Sequence, residues 1–306
     1  MRVFMTGATG YVGGAVAARL IERGHDVAAL VRPQTESKSL RDRGAVIVAG
    51  DLGSLPDLGG TLTAYDVLIQ AAQLHGRDAV ALDRIAVDVF TSLNGFVIYT
   101  SGVWVCGNTG DRAADESTPV NPLPLVAWRP PHEQRVLASG RGAVIRPGCV
   151  YGGKQSLLAG WFAAADQKRP LEIVGDGRNH WAMVNLHDLS DCYLRIAESR
   201  TSGVRHAVDD TRATLDECAR AVAPAGRIEQ VPVDQARKNV GPLTDALVAD
   251  QRVSSEATRR TVGWKPSRTF TSSIDEQWRE WRAGKGRGAQ ARLPAPNRDA
   301  SRDSGR

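Results

Sequence analysis

No run of about eighteen apolar residues occurs in the 306-residue sequence, so no segment is expected to span a membrane. The N-terminus, M-R-V-F-M-T-G, lacks the apolar core and small-residue cleavage site of a signal peptide and runs straight into a structural motif. Cysteine is scarce. Cys106, Cys149, Cys192 and Cys218 lie far apart with no C-x-x-C, which argues against a zinc site or disulfide framework and points to reduced thiols in a cytoplasmic protein. Metal-ligand spacings, a nucleophile elbow and internal repeats are also missing.

A strongly basic body is missing too. The net charge is +5, but from Gly284 onward six Lys or Arg stand against two Asp, which leaves the rest near neutrality. A nucleic-acid binder would carry its basic face on the body itself, so neither a nucleic-acid nor a membrane partner is expected. Residues 284–306, dominated by Gly, Ala, Pro, Arg and Ser without periodicity, read as a disordered, solvated basic tail. The composition, 42% apolar and 24% charged, is that of an ordinary globular protein.

What is present is a regular alternation. Short runs that are apolar on both faces, V-F-M-T (3–6), D-V-A-A-L-V (26–31), A-V-I-V-A (45–49), D-V-L-I-Q-A-A (66–72), G-F-V-I-Y-T (95–100) and G-A-V-I-R-P (142–147), alternate with helical patterns. The first helix is expected around 11–23, stopped by Gly24. Such alternation predicts an α/β fold, a Rossmann-type doubly wound parallel sheet. Later segments are less regular. Helices are expected at 156–167 and 187–199, a strand at 171–177, a return to the main sheet at 204–208, and a Trp-rich helix at 274–281.

T-G-A-T-G-Y-V-G (6–13) follows the first strand and opens the first helix. In that context Gly7 permits a tight turn, Gly10 lets the backbone approach a pyrophosphate, and Gly13 lets the helix pack on the sheet. The helix N-terminus offers its N–H groups to the phosphates. At the end of the second strand, where an acid would bind a ribose 2′-hydroxyl, stands Arg32, which suits a 2′-phosphate. NADP(H) is therefore favoured over NAD(H). The dinucleotide-binding domain is expected over residues 1–150, rejoined by about 182–208, with a smaller C-terminal α/β substrate-binding domain over 151–181 and 209–283.

Together with G-D-L (50–52), Q-A-A (70–72), Y-T-S-G-V-W-V-C-G (99–107), R-P-G-C-V-Y-G (146–152), V-N-L-H-D-L (184–189) and V-G-W-K-P (262–266), the glycine loop makes residues 1–282 resemble the extended short-chain dehydrogenase/reductases. These include the nucleoside-diphosphate-sugar epimerases and dehydratases. The resemblance implies that Gly7, Thr9, Gly10, Tyr11 and Val12 form the phosphate loop and that Asp51 and Leu52 flank the adenine. It also implies that Ala71, Ala72 and Thr100 line the path to the nicotinamide ribose, and that Pro147 to Val150 cover the nicotinamide side. A homodimer through two helices, one holding 128–139, is the family's expectation, although Pro130 and Pro131 should make that helix start late.

The catalytic pattern departs from the family. Where the resemblance places a catalytic Ser or Thr stands Gly102, preceded by Thr100 and Ser101. Where it places Y-x-x-x-K, the sequence reads Trp128-R-P-P-His132. An indole N–H donates but does not titrate usefully, so Trp128 cannot shuttle a proton and reads as packing or a platform for a flat substrate. His132 is either a general acid or base, or a structural residue paired with Glu133. Ser101 is a further candidate for proton delivery. Trp181 takes the place of a diphosphate-holding Arg, with Arg178 and His180 nearby. It is either core or, with Trp128, part of a pocket for a less polar ligand. Tyr99 and Tyr151 read as core, Asp188 as a helix-orienting acid, and His75 as a group at the substrate mouth without a recognisable partner.

The leading expectation is an NADP(H)-dependent oxidoreductase acting on a carbonyl, alcohol or activated double bond of a small, fairly apolar molecule. The alternatives are a dinucleotide-binding redox sensor without turnover and a sugar-nucleotide epimerase or dehydratase with a displaced base.

Overall fold

The computed structural model describes residues 1–153 and 155–284; the tail expected beyond Gly284 lies outside the described residues. The apolar runs form strands β1 (Arg2–Thr6), β2 (Asp26–Val31), β3 (Val46–Ala49), β4 (Val67–Gln70), β5 (Phe96–Thr100) and β6 (Gly142–Pro147). Three short strands, β7 (Cys149–Tyr151), β8 (Leu171–Val174) and β9 (Met183–Asn185), leave the sheet. β10 (Gly203–Ala207) rejoins it, and β11 (Ile228–Val231) pairs with β8. The main sheet has seven strands in the order β10-β6-β5-β4-β1-β2-β3, every neighbour parallel. This is the doubly wound fold that the alternation predicts. The order reverses between β1 and β4, the place where such sheets bind ligands at their carboxyl ends.

Helices cover both faces of this sheet. In chain order they are α1 (Tyr11–Glu22), α2 (Lys38–Asp42), α3 (Gly59–Leu62), α4 (Ala79–Ser92), α5 (Arg129–Ala138), α6 (Ala159–Asp166), α7 (Leu186–Ser199), α8 (Leu215–Val222), α9 (Val233–Val240), α10 (Leu243–Val248), α11 (Glu256–Val262) and α12 (Ile274–Gly284). One apolar layer packs α1 and α7 against the sheet through Val16, Leu20, Leu189, Tyr193 and the fully buried Trp264. On the other face Ala86, Val87 and Phe90 of α4 pack with Val136 of α5. A separate core holds Tyr151, Trp161, Phe162, Trp181, Leu215 and Phe270.

Two expectations need correction, and of the two readings of Trp181 the structure bears out core. α5 does not start late, because Pro130 and Pro131 occupy its first turn, where a missing N–H costs nothing. The strand expected to run to Ala72 ends at Gln70. Trp181 is core, 8% exposed, and its Nε1 donates to Leu247 O at 3.2 Å. It cannot serve as a substrate platform.

The glycine loop is set by contact. A Cβ on Gly7 would lie 2.5 Å from the backbone of Ala71 and Ala72, and one on Gly13 would collide with Gly7 O. Gly13→Ala should therefore destabilise the fold by about 1–3 kcal/mol, as overpacking does. Equilibrium urea denaturation checks this, and an unchanged midpoint would show that the loop can shift to accept a methyl.

Asp209, beside β10, ties the second core to the sheet edge. It accepts Tyr151 Oη at 2.7 Å and Thr211 N at 2.8 Å, and its own N–H donates to Met183 O at 2.7 Å. Burial pushes its carboxyl up to about 6. The folded state thus holds this proton more tightly than the unfolded chain, a contribution complete below about pH 4 and lost as pH rises through 6. The wild type should lose roughly 2–3 kcal/mol across that window relative to Asp209→Asn. Parallel stability profiles for the two proteins from pH 4 to 7 would contradict this.

Candidate active site

The crevice lies at the carboxyl ends of β1, β4 and β5. Gly10, the N-cap of α1, carries no side-chain cap, and the first turn of α1 holds no acid, so the helix end is open to an anion. A Cβ at Gly10 would have only Gly7 O within 4 Å, at 3.2 Å, so this side of the loop is open to a ligand. Thr9, Gly10 and Tyr11 border a groove of about 840 Å³ of mixed charge, with Ser37, Ser39 and Arg43 beside Glu36 on one wall and Asp188 and Asp191 on another. Val12 packs against the core beneath the loop. Arg32 is exposed just beyond β2, and no ion pair engages it among the described residues. These residues fit a phosphorylated dinucleotide.

Asp51 is exposed and caps the turn at Leu52–Leu58 by accepting Ser54 N at 3.1 Å, while Leu52 is buried. Ala71 and Ala72 donate their N–H groups to Thr6 Oγ1, both at 3.3 Å. Thr100 Oγ1 accepts Tyr193 Oη at 2.8 Å. Pro147 ends β6, and Val150 on β7 is half-buried against the main core. Tyr11 Oη donates to Gly152 O at 2.5 Å, joining α1 to the loop after β7. Glu280 of α12 holds the same loop from outside, accepting Gly153 N at 2.6 Å and pairing with His187 at 2.9 Å.

A buried polar chain begins under the glycine loop. Thr6 Oγ1 donates to Gln70 Oε1, and Gln70 Nε2 donates to Asp83 Oδ1 at 2.7 Å. Asp83 Oδ2 accepts Tyr99 Oη at 2.9 Å and meets His132 Nδ1 at 2.6 Å. Asp83 and His132 are each 4% exposed. His132 is therefore paired with Asp83 and not with Glu133, which instead grips Arg146 at 2.5 and 3.1 Å. With a carboxylate at Nδ1, the hydrogen of that bond is best placed on Nδ1, and Nε2 makes no hydrogen bond among the described residues. Burial and Asp83 drive the Tyr99 hydroxyl far above its ordinary range, so it stays protonated and donates to Asp83.

The position of the missing hydroxyl is open. Gly102 is extended, and an added Cβ would meet only Pro147 O, at 3.9 Å. Ser101 is 8% exposed and its Oγ is buried without a hydrogen-bond partner. Trp128 is half-buried, with its ring edge-on to His132 at 5.3 Å and the Arg129 guanidinium 4.5 Å over its face. Trp128 thus packs on His132, and Arg129 bonds the carbonyl of Thr100, next to Ser101, while other candidates lie elsewhere. His75 is exposed in the loop after β4. His180 is held by Asp250 at 2.9 Å and Arg252 at 3.1 Å, and Arg178 is exposed. Asp188 does not cap α7, a role taken by Asn185; it anchors Ser267 and Arg268.

Sequence reasoning missed Gln70, Asp83 and Arg129. Asp83 did leave a signal: it sits in the apolar stripe of α4 with Ala86, Val87 and Phe90, at helical spacing. Removing its carboxylate strands three buried donors. Asp83→Ala should cost about 3–5 kcal/mol, against far less for Asp83→Asn, which keeps an acceptor. Denaturant titration of both variants checks this; equal losses would mean that the network is not held by its hydrogen bonds.

Comparison with known proteins agrees with this architecture. The NmrA-like family model matches residues 1–85. An uncharacterized Schizosaccharomyces pombe protein is 28% identical over 281 residues, covering 87% of this chain and 95% of its own. The 3-diazoavenalumate denitrifying reductase of a Streptomyces species is 26% identical over 318 residues, covering 94% and 100%. The structure of dTDP-glucose 4,6-dehydratase from Bacillus anthracis, solved with NAD, superposes with a TM-score of 0.79 at 16% identity, over 94% of this chain and 98% of that one. The chain thus resembles the NmrA-like proteins over its first 85 residues and has, across its described length, the fold of the extended short-chain dehydrogenase/reductases.

Proposed function

We propose that the protein is an NADP(H)-dependent oxidoreductase that reduces, or oxidises to, an electron-poor group such as a conjugated carbonyl, quinone or activated alkene on a small, flat molecule. The observation that carries this reading is the unbroken polar chain from Thr6, under the glycine loop, through Gln70 and Asp83 to His132. A site abandoned by function has no need of four buried, mutually satisfied polar side chains, since unpaired members of such a chain cost more than apolar replacements. The reductase name of the Streptomyces relative supports the same class of chemistry.

The bound dinucleotide supplies the hydride. Gly7, Thr9, Gly10, Tyr11 and Val12 hold its phosphates at the N-terminus of α1, Arg32 holds a 2′-phosphate, Asp51 and Leu52 flank the adenine, and Ala71, Ala72 and Thr100 line the ribose path. Pro147 and Val150 border the nicotinamide side. Trp128 offers a half-buried flat surface to the substrate. His132 exchanges a proton at Nε2 with a ribose hydroxyl or water while Asp83 holds Nδ1. Ser101 Oγ, buried without a partner, orients the reacting oxygen. Because Gly102 and Trp128 supply no titrating hydroxyl, an acceptor that carries its own electron sink is favoured over a simple ketone.

The test uses NADPH deuterated at C4 on either face, incubated with the protein and a panel of aldehydes, ketones, enones and quinones, with deuterium read in products by mass spectrometry. Face-specific transfer to an electron-poor acceptor is expected. In parallel titrations, Arg32→Ala should weaken NADPH binding by about 10- to 100-fold and leave NADH unchanged, as loss of charge-assisted hydrogen bonds does. NADPH binding without transfer to any class would move the reading to a second one, a redox sensor without turnover, which the open Gly102 position favours.

A further inference from the structure

The residue between Trp128 and the prolines has no role in the family pattern, yet its placement is the least expected in the crevice. Arg129 is half-buried. Its Nη1 donates to Thr100 O at 2.7 Å and reaches Tyr99 Oη at 3.5 Å, while its guanidinium lies 4.5 Å over the Trp128 ring. The carbonyl it meets is at the carboxyl end of β5. The neighbouring strand β4 has already ended at Gln70, and Ala72 N is turned to Thr6. The head group is thus fixed on one side by a backbone oxygen and on one face by an indole.

Among the described residues no carboxylate lies within ion-pair distance of Arg129, and only Nη1 is hydrogen-bonded. The contrast inside the same helix is informative. Glu133 and His132 are each committed to a buried partner of opposite character, Arg146 and Asp83. A half-buried guanidinium, held at Nη1 with its Nε and Nη2 donors free and no carboxylate beside it, is an anion site awaiting its anion. A second donor lies close in sequence to its anchor, since Ser101, the residue after Thr100, carries the buried, unpartnered hydroxyl.

We propose that Arg129 is the substrate-binding cation of the crevice, and that the substrate is a flat, conjugated molecule bearing a carboxylate. Nε and Nη2 bind the carboxylate in the forked geometry that suits a guanidinium, and the conjugated body lies toward Trp128. Arg129 sets specificity and delivers no proton. The proposal rests on the crevice being the substrate site of the oxidoreductase described above, but its test does not depend on turnover.

The probes are trans-cinnamate and its neutral isostere cinnamamide, titrated calorimetrically into the wild type, Arg129→Gln and Arg129→Lys, each with and without saturating NADP⁺. NADP⁺ affinity is measured on the same samples. The wild type should bind cinnamate about tenfold or more tightly than cinnamamide. Arg129→Gln should lose that preference while still melting cooperatively and keeping NADP⁺ affinity, and Arg129→Lys should keep part of it. The proposal is overturned if the wild type shows no preference, including no binding of either probe, or if the preference survives in Arg129→Gln. Failure to bind NADP⁺ would sink the oxidoreductase reading separately, because the carboxylate preference is read in its absence as well.

Discussion

One carboxylate organises the crevice. Asp83 projects from α4 into the apolar layer that holds Ala86, Val87, Phe90 and Val136. Burying a charge there costs several kcal/mol unless its lone pairs are satisfied. Gln70 from β4, Tyr99 from β5 and His132 from α5 satisfy them. Each donor belongs to a different element, so the requirement of one acid fixes the mutual placement of two strand ends and two helices. Those are the strand ends that border the crevice.

α5 is consequently held from two sides by consecutive residues. His132 faces α4 through Asp83, and Glu133 faces β6 through Arg146. Glu133 and Arg146 are almost fully withdrawn from water, and such pairs define position more than they add stability. The first turn of α5 then delivers Trp128 and Arg129 to the end of β5. Pro130 and Pro131 fit this turn because its N–H groups have no partner to lose.

The strands of the main sheet were legible because both faces of a parallel sheet are covered, which writes each strand as a continuous apolar run. The glycine loop was legible because Gly7 and Gly13 have no room for a Cβ, a constraint local in sequence. The pairing at the site was not legible, because Asp83 and His132 stand 49 positions apart and only the crossover topology brings α4 beside α5. Spacing alone drew attention to the adjacent Glu133 instead. Trp181 misled for the opposite reason: a large aromatic at a substrate-side position carries the same letter whether it faces a ligand or, as here, the second core. Arg129 left no trace in the sequence, since its partner is a backbone carbonyl.

The order of the sheet also bears on how the chain is made. β6 lies between β5 and β10, and the residues of β10 that pair with it, beginning Gly203 to Ala143, follow sixty positions later. Until that segment has emerged from the ribosome, the outer edge of β6 presents unpaired amides on a strand with no polar face to shield them. Folding of the N-terminal half is therefore not finished when its own residues are complete. It waits for a strand encoded beyond the first part of the second core, whose remaining residues follow later still, so the two parts of the chain mature together.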